Sequence, residues 1–171
     1  HALRDDIKPF LRAYLNAIPS LLNRENLNTW EHFGNGGAWD KPHETGWFLA
    51  QTRLMLVMER GTELWLAPFV SQHWMDDGEH VSVRNVPTRF GEIAYTLSSH
   101  VDSGYIEADV ELPDPCSASS VVVRLRHPRE ARMLSVSVNQ QPHTLFNAER
   151  ECVFLPEARG KLHIRVNYPV E

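Results

Sequence analysis

An α+β chain, helical at first and then an antiparallel β-sandwich, is what this 171-residue sequence predicts. Three observations carry the expectation. Before residue 60 the apolar residues recur at helical spacing. After Gly61 they alternate with polar ones, which is the period of half-buried strands. Clusters of turn-forming residues then recur at hairpin spacing, as in sandwiches. Residues 1–60 are accordingly assigned to helices and residues 61–171 to the sandwich.

Residues 3–18 set Leu3, Ile7, Phe10, Leu11, Tyr14, Leu15 and Ile18 on one stripe. Asp5 and Asp6 stand at the amino end, where the helix dipole favours acids. Pro9 either bends this helix or marks its true first turn. A second helix is expected over 44–59, where Trp47, Phe48, Leu49, Leu54, Met55, Leu56, Val57 and Met58 are apolar almost all round, the pattern of a buried helix. Between the two, residues 26–43 form a loop of glycines, aromatics and ionisable groups. That is more chemistry than a connector requires, and long loops in compact domains are usually functional.

In the second part, Ile106, Ala108, Val110 and Leu112 alternate with Glu107, Asp109 and Glu111, and Leu134, Val136 and Val138 alternate with serines. The last run sets Leu162, Ile164, Val166 and Tyr168 against His163, Arg165 and Asn167. Breaks at 85–91, 113–119, 127–130, 139–142 and 156–160 separate these strands. Residues 63–70 read as a strand and 71–78 as a capped helical turn carrying Trp74. Tight docking is the expectation there, with Trp65 and Trp74 packed at the seam between helices and sandwich.

Composition narrows the function classes. With 42% hydrophobic residues, 23% charged residues and a net charge of −5, the chain is that of a soluble globular protein without the basic footprint of a nucleic-acid binder. No window approaches the roughly 18 apolar residues of a membrane span, and the amino terminus lacks a signal-peptide pattern. Neither nucleic acid nor membrane is expected as a partner; the compartment is cytoplasmic, or set by a targeting segment lying outside this chain. The start at His1, without a methionine, suggests that something upstream has been removed. An amino-terminal histidine can chelate copper, but the helical spacing that begins at Leu3 argues against that use. Cys116 and Cys152 show no CxxC spacing, so a cysteine-rich zinc site is excluded while a single bridge between them stays open. No phosphate loop, GxSxG elbow or HExxH sequence occurs, and no cofactor is expected.

Several short stretches, taken in order, carry a resemblance. Thr29-Trp30-Glu31-His32-Phe33, a glycine-rich loop, His43-Glu44-Thr45-Gly46-Trp47-Phe48, Glu63-Leu64-Trp65-Leu66-Ala67-Pro68 and Val83-Arg84-Asn85-Val86-Pro87-Thr88-Arg89-Phe90-Gly91 together resemble the carboxyl end of bacterial six-hairpin glycosidases of the α-L-rhamnosidase-like kind. The resemblance implies that the helices are the last of an (α/α)6 toroid, followed by a β-sandwich. It also implies that Glu31 is the base activating water for an inverting displacement. The acid would then come from an earlier helix, supplied by a companion polypeptide or a removed amino-terminal segment that completes the barrel, roughly 6.5 to 9.5 Å from Glu31. The sugar itself is not implied.

The residues admit readings of their own. Glu31 between Trp30 and His32 is either a carboxylate beside a sugar-stacking face, tuned by partial desolvation, or a cap or surface charge beside a core tryptophan. Asp40, His43 and Glu44, with His32, are hydroxyl-binding groups, helix caps or a metal cluster; sugar contact is the reading carried forward, with no metal. Trp39 is expected in the pocket and Trp47 in the core. The histidines at 100, 127, 143 and 163 read as ordinary surface or satisfied groups, and Arg124, Arg126, Arg129 and Arg132 as a solvated face. Two functions follow: part of a glycoside hydrolase acting on a carbohydrate, or a non-catalytic carbohydrate-binding or structural sandwich. In the second case Tyr95 and Tyr105 would be the main aromatic candidates.

Overall fold

The computed structural model describes residues 1–170. The chain forms two compact units, His1–Met55 and the part from Leu56 onward. The first opens with a 3₁₀ turn at Ala2–Arg4, which Asp5 ends in the left-handed conformation at φ 62°. Helix α1 (Ile7–Leu21) follows. Pro9 sits in its first turn, where backbone N–H groups have no intrahelical acceptor and the missing donor costs nothing. Phe10 and Tyr14, one turn apart, are its buried residues, and the Tyr14 ring stacks on Phe48 with centroids 5.9 Å apart. The strands β1 (Leu22–Asn23) and β2 (Asn28–Thr29) pair antiparallel beyond α1, and α2 (Pro42–Leu56) begins on a proline whose φ is preset for a helix. The Tyr14 hydroxyl lies 2.7 Å from that of Thr52, so a polar contact fixes α1 on α2 beside the ring stack.

The second unit is built from strands. One sheet is antiparallel throughout, in the order β10 (Gln141–His143), β9 (Ser135–Val138), β13 (Lys161–Asn167), β7 (Tyr105–Glu111), β6 (Gly91–His100) and β5 (His80–Thr88). The other runs β11 (Phe146–Asn147), β12 (Cys152–Pro156), β8 (Ser120–Arg124), β4 (Glu63–Leu66) and β3 (Val57–Arg60). Both sheets feed one apolar cluster: Leu64, Leu66, Val121, Val123 and Val153 from the second, and Ile93, Tyr95, Leu97, Ile106, Ala108, Val110, Ile164 and Val166 from the first. Alternation along β7 and β13 turns every second side chain into that cluster, which is why their period is two. The Tyr95 hydroxyl donates to the Leu56 carbonyl and that of Tyr168 to the Leu125 carbonyl, each at 2.9 Å. Burial raises the pKa of both phenols.

The expected toroid is overturned. Among the described residues there are two α-helices and three sheets, and strand makes up 39% of the chain, so the architecture is not that of terminal helices from an (α/α)6 barrel followed by an antiparallel sandwich. Neither helix is enclosed as a barrel helix would be. On α2, Trp47 is 63% and Leu49 60% exposed. The helical reading of 44–59 also ran too far, because Val57–Arg60 pairs with β4 as a strand, Val57 opposite Leu66 and Met58 opposite Trp65. Apolar residues on both faces suit a strand covered on both sides as well as they suit a buried helix. The smaller sheet is mixed as well, since β4 and β8 run parallel.

Two further expectations change. Arg124 and Arg126 are buried rather than solvated. Arg124 donates to the carbonyls of Pro68 and Arg150 and lies over the Trp65 ring at 5.4 Å, while Arg126 pairs with Glu151 at 3.0 Å. Trp65 is buried, but Trp74 is 42% exposed. Cys116 and Cys152 are free thiols.

Candidate functional site

The loop between α1 and α2 folds back on itself. The Trp30 amide donates to the Leu21 carbonyl at 2.7 Å, which ties the loop to the end of α1. The Glu31 amide then donates to Ala38 O at 2.9 Å and the His32 amide to Gly36 O at 3.0 Å, forming a short antiparallel bridge closed by Gly34 and Asn35 in left-handed conformations. The Thr29 hydroxyl donates to the Lys41 carbonyl at 3.1 Å, and the Thr45 hydroxyl donates to Asn28 Oδ1 at the same distance. These bonds return Lys41 to the neighbourhood of Glu31.

Glu31 is half-buried, with Lys41 Nζ 3.1 Å from Oε1 and the Ala38 amide donating to Oε2 at 3.3 Å. The lysine hydrogen bond first, and then the amide, hold its carboxyl below the ordinary glutamate range. Gly37 makes this close turn feasible. Its φ is +79°, and a Cβ there would stand 2.8 Å from both Cβ and Oε2 of Glu31.

Trp30 and Trp39 line one open cleft of about 610 Å³ together with Asn23, Arg24, Glu25, Asn26 and Asn35. That volume falls within the range of small-molecule sites. Trp30 is half-buried and Trp39 is 54% exposed. Asn23 is buried beneath the cleft. Its Oδ1 accepts from the Glu25 amide at 3.0 Å and its carbonyl from the Leu27 amide at 2.8 Å, so the β1–β2 turn that carries the polar lining is held rigid.

The remaining candidates lie elsewhere. His32 and Asp40 are exposed and do not line the cleft. His43 Nε2 stands 2.9 Å from Glu44 Oε1 in the first turn of α2, and Glu44 faces a small groove between the helices, about 120 Å³, beside Tyr14, Trp47 and Phe48. Of the expected site residues, then, Trp30 shares a cleft with Trp39 and His43 pairs with Glu44, while Glu31 pairs with a lysine. Among the described residues no group of three or more His, Cys, Asp or Glu side chains could hold a metal ion. Sequence reading did not pick Asn23, Arg24, Glu25, Asn26, Asn35 or Lys41 as site residues. The one signal for the first four was an unbroken polar run directly after an apolar helix.

No protein-family model matches this sequence, and no curated protein matches it. Among solved structures, a chain titled "Glycoside hydrolase" is similar over 86% of this chain, at 12% identity and a TM-score of 0.43. The matched region covers 24% of that chain, and a likeness this distant carries no argument.

Proposed function

We propose that this chain is part of a glycoside hydrolase and that the cleft of its first unit receives a sugar ring. The observation that carries the reading is that Trp30 and Trp39 line one cleft with carboxamides, a guanidinium, a carboxylate and the Leu22 side chain. An indole face covers the C–H face of a pyranose, and planar polar groups pair with neighbouring hydroxyls. Glu31 follows Trp30 directly, and a carboxylate is a group that can serve as general base. In an inverting displacement Glu31 takes a proton from water as that water attacks the anomeric carbon. The glycosidic C–O bond breaks, and an acid protonates the leaving oxygen. That acid comes from a companion polypeptide or from a segment outside this chain.

A second reading, carbohydrate binding without catalysis, is favoured by one observation: Glu31 is engaged by Lys41 and is absent from the cleft lining. Two variants separate the readings on a panel of oligosaccharides. Trp39→Ala should weaken binding under either. Glu31→Gln should keep binding but abolish hydrolysis by the assembled enzyme if Glu31 is the base; full hydrolysis by Glu31→Gln removes that role, and undiminished binding by Trp39→Ala removes the cleft.

A further inference from the structure

The second unit carries an exposed tryptophan in a cleft of its own, lined by both polar and apolar side chains. Trp74 projects from a 3₁₀ turn (Gln72–Met75) and lines an open cleft of about 430 Å³ with His73, Asp76, Glu79 and His80, beside Leu56, Val81 and Ser82. The volume again suits a small ligand. The backbone beneath Trp74 is pinned. Its neighbour Met75 is fully buried, the Ser99 hydroxyl donates to the Met75 carbonyl at 2.7 Å, and the Ser99 amide donates to the Glu79 carbonyl at 2.9 Å. The Gly78 amide donates to the Ser99 carbonyl and the Glu79 amide to the Asp76 carbonyl, both at 3.0 Å. An indole held in water by so fixed a support forgoes the free energy its burial would bring, and it needs little ordering to meet a ligand.

Four of the polar groups around it are uncommitted, while the Ser82 hydroxyl lies 3.2 Å from that of Thr96. Among the described residues, the side chains of His73, Asp76, Glu79 and His80 make no hydrogen bond or ion pair within the protein, whereas Glu31, His43 and Glu44 of the first unit are all paired. Ionised carboxylates are acceptors only, and imidazoles supply both a donor and an acceptor. Such a lining suits a ligand rich in hydroxyl donors with one flat apolar face. Two carboxylates without a cationic partner repel an anion.

We infer that this cleft is a second carbohydrate-binding site, separate from that of Trp30 and Trp39, which takes a neutral pyranose stacked on Trp74 with its hydroxyls donating to Asp76 and Glu79. Uronate-bearing and sulfated sugars are rejected by charge. A hydrolase that holds its polymer at two places gains effective concentration for the sugar at either one.

The test uses the full chain carrying Trp30→Ala and Trp39→Ala, so that the first cleft contributes nothing, on an array of neutral oligosaccharides with oligogalacturonates as the anionic comparison. The expected result is binding of at least one neutral oligosaccharide and none of the uronates. Adding Trp74→Ala should weaken that binding about tenfold or more, Trp74→Phe should keep most of it, and Asp76→Asn with Glu79→Gln should weaken it by about tenfold, a loss corresponding to about 1.4 kcal/mol. Far-ultraviolet circular dichroism reports whether each variant is folded. The inference is overturned if the doubly substituted chain binds no neutral oligosaccharide, if Trp74→Ala binds as well as its parent, or if uronates are preferred. Sugar binding by the unsubstituted chain that vanishes with Trp30→Ala and Trp39→Ala would leave the first cleft standing and remove the second.

Discussion

The ammonium of Lys41 stands 3.1 Å from Oε1 of Glu31, joining two residues that the loop carries apart and then returns. The consequence is a titration. Glu31 should ionise below the ordinary glutamate value, and Lys41→Met should move its midpoint upward. Because the folded pKa is depressed, the stabilisation from this pair is complete above the unfolded-state pKa and is lost as pH falls through the folded one. Carboxyl-resolved NMR titration of both proteins checks this; identical midpoints would remove the lysine as the cause.

Gly37→Ala should disturb the same carboxylate through sterics. The new methyl meets Glu31 in a left-handed conformation that costs an L-residue about 1 to 2 kcal/mol before any clash. The urea midpoint should fall, and the Glu31 pKa should rise as its bonds to Lys41 and Ala38 lengthen. A midpoint equal to that of the unsubstituted chain would show that the loop has another way through.

The buried and exposed arginines should part company in stability. Arg124→Met leaves the Pro68 and Arg150 carbonyls without their donor and should cost about 3 kcal/mol. Arg132, paired with Glu149 at 3.1 Å on an exposed surface, should lose no more than about 0.5 kcal/mol on replacement by alanine. Urea denaturation of the two variants decides, and equal losses would contradict the burial of Arg124.

Tyr95→Phe removes one buried hydroxyl whose bond to the Leu56 carbonyl is 2.9 Å long, and should cost about 1 kcal/mol. Its phenol pKa is raised in the folded state, so the stabilisation is complete below the unfolded phenol value of about 10 and is lost at higher pH. Below alkaline unfolding, the phenolate absorbance of Tyr95→Phe should match that of the unsubstituted chain. A deficit in the variant would mean that Tyr95 ionises while folded.

Strand periodicity was legible in β7 and β13, where one face meets the core and the other meets water. It was not legible in β5, whose residues 85–88 read as a break, nor at Leu134, which lies outside β9 and is exposed. The alternation at Ile106, Ala108 and Val110 reads directly as β7. It failed where both faces are covered: Val121, Val122 and Val123 are all buried in β8, and Val57 and Met58 look helical until β4 pairs with them. Arg124 and Arg126 looked solvated because their stabilising carbonyls lie more than fifty residues earlier, at Pro68 and Val70. At the candidate site, the aromatic and glycine content of the loop pointed to Trp30 and Trp39. What composition could not supply was the path of the loop, which sends Lys41 to Glu31 and brings Asn23 and Glu25 to the tryptophans. The toroid was inferred from a likeness of short stretches, and the number of helices in the chain does not support it.

The parallel pairing of Leu64 with Val121 and of Trp65 with Val122 also constrains the order in which this molecule can assemble. Between β4 and β8 the chain lays down β5, β6 and β7, all of which belong to the other sheet. The smaller sheet therefore cannot close by successive hairpins. Its middle seam waits for a loop containing three strands of its neighbour to be drawn in, and the entropy of that closure is met before the seam gains any contact. The two sheets are thus knitted by one thread, and neither can be excised as a self-sufficient half.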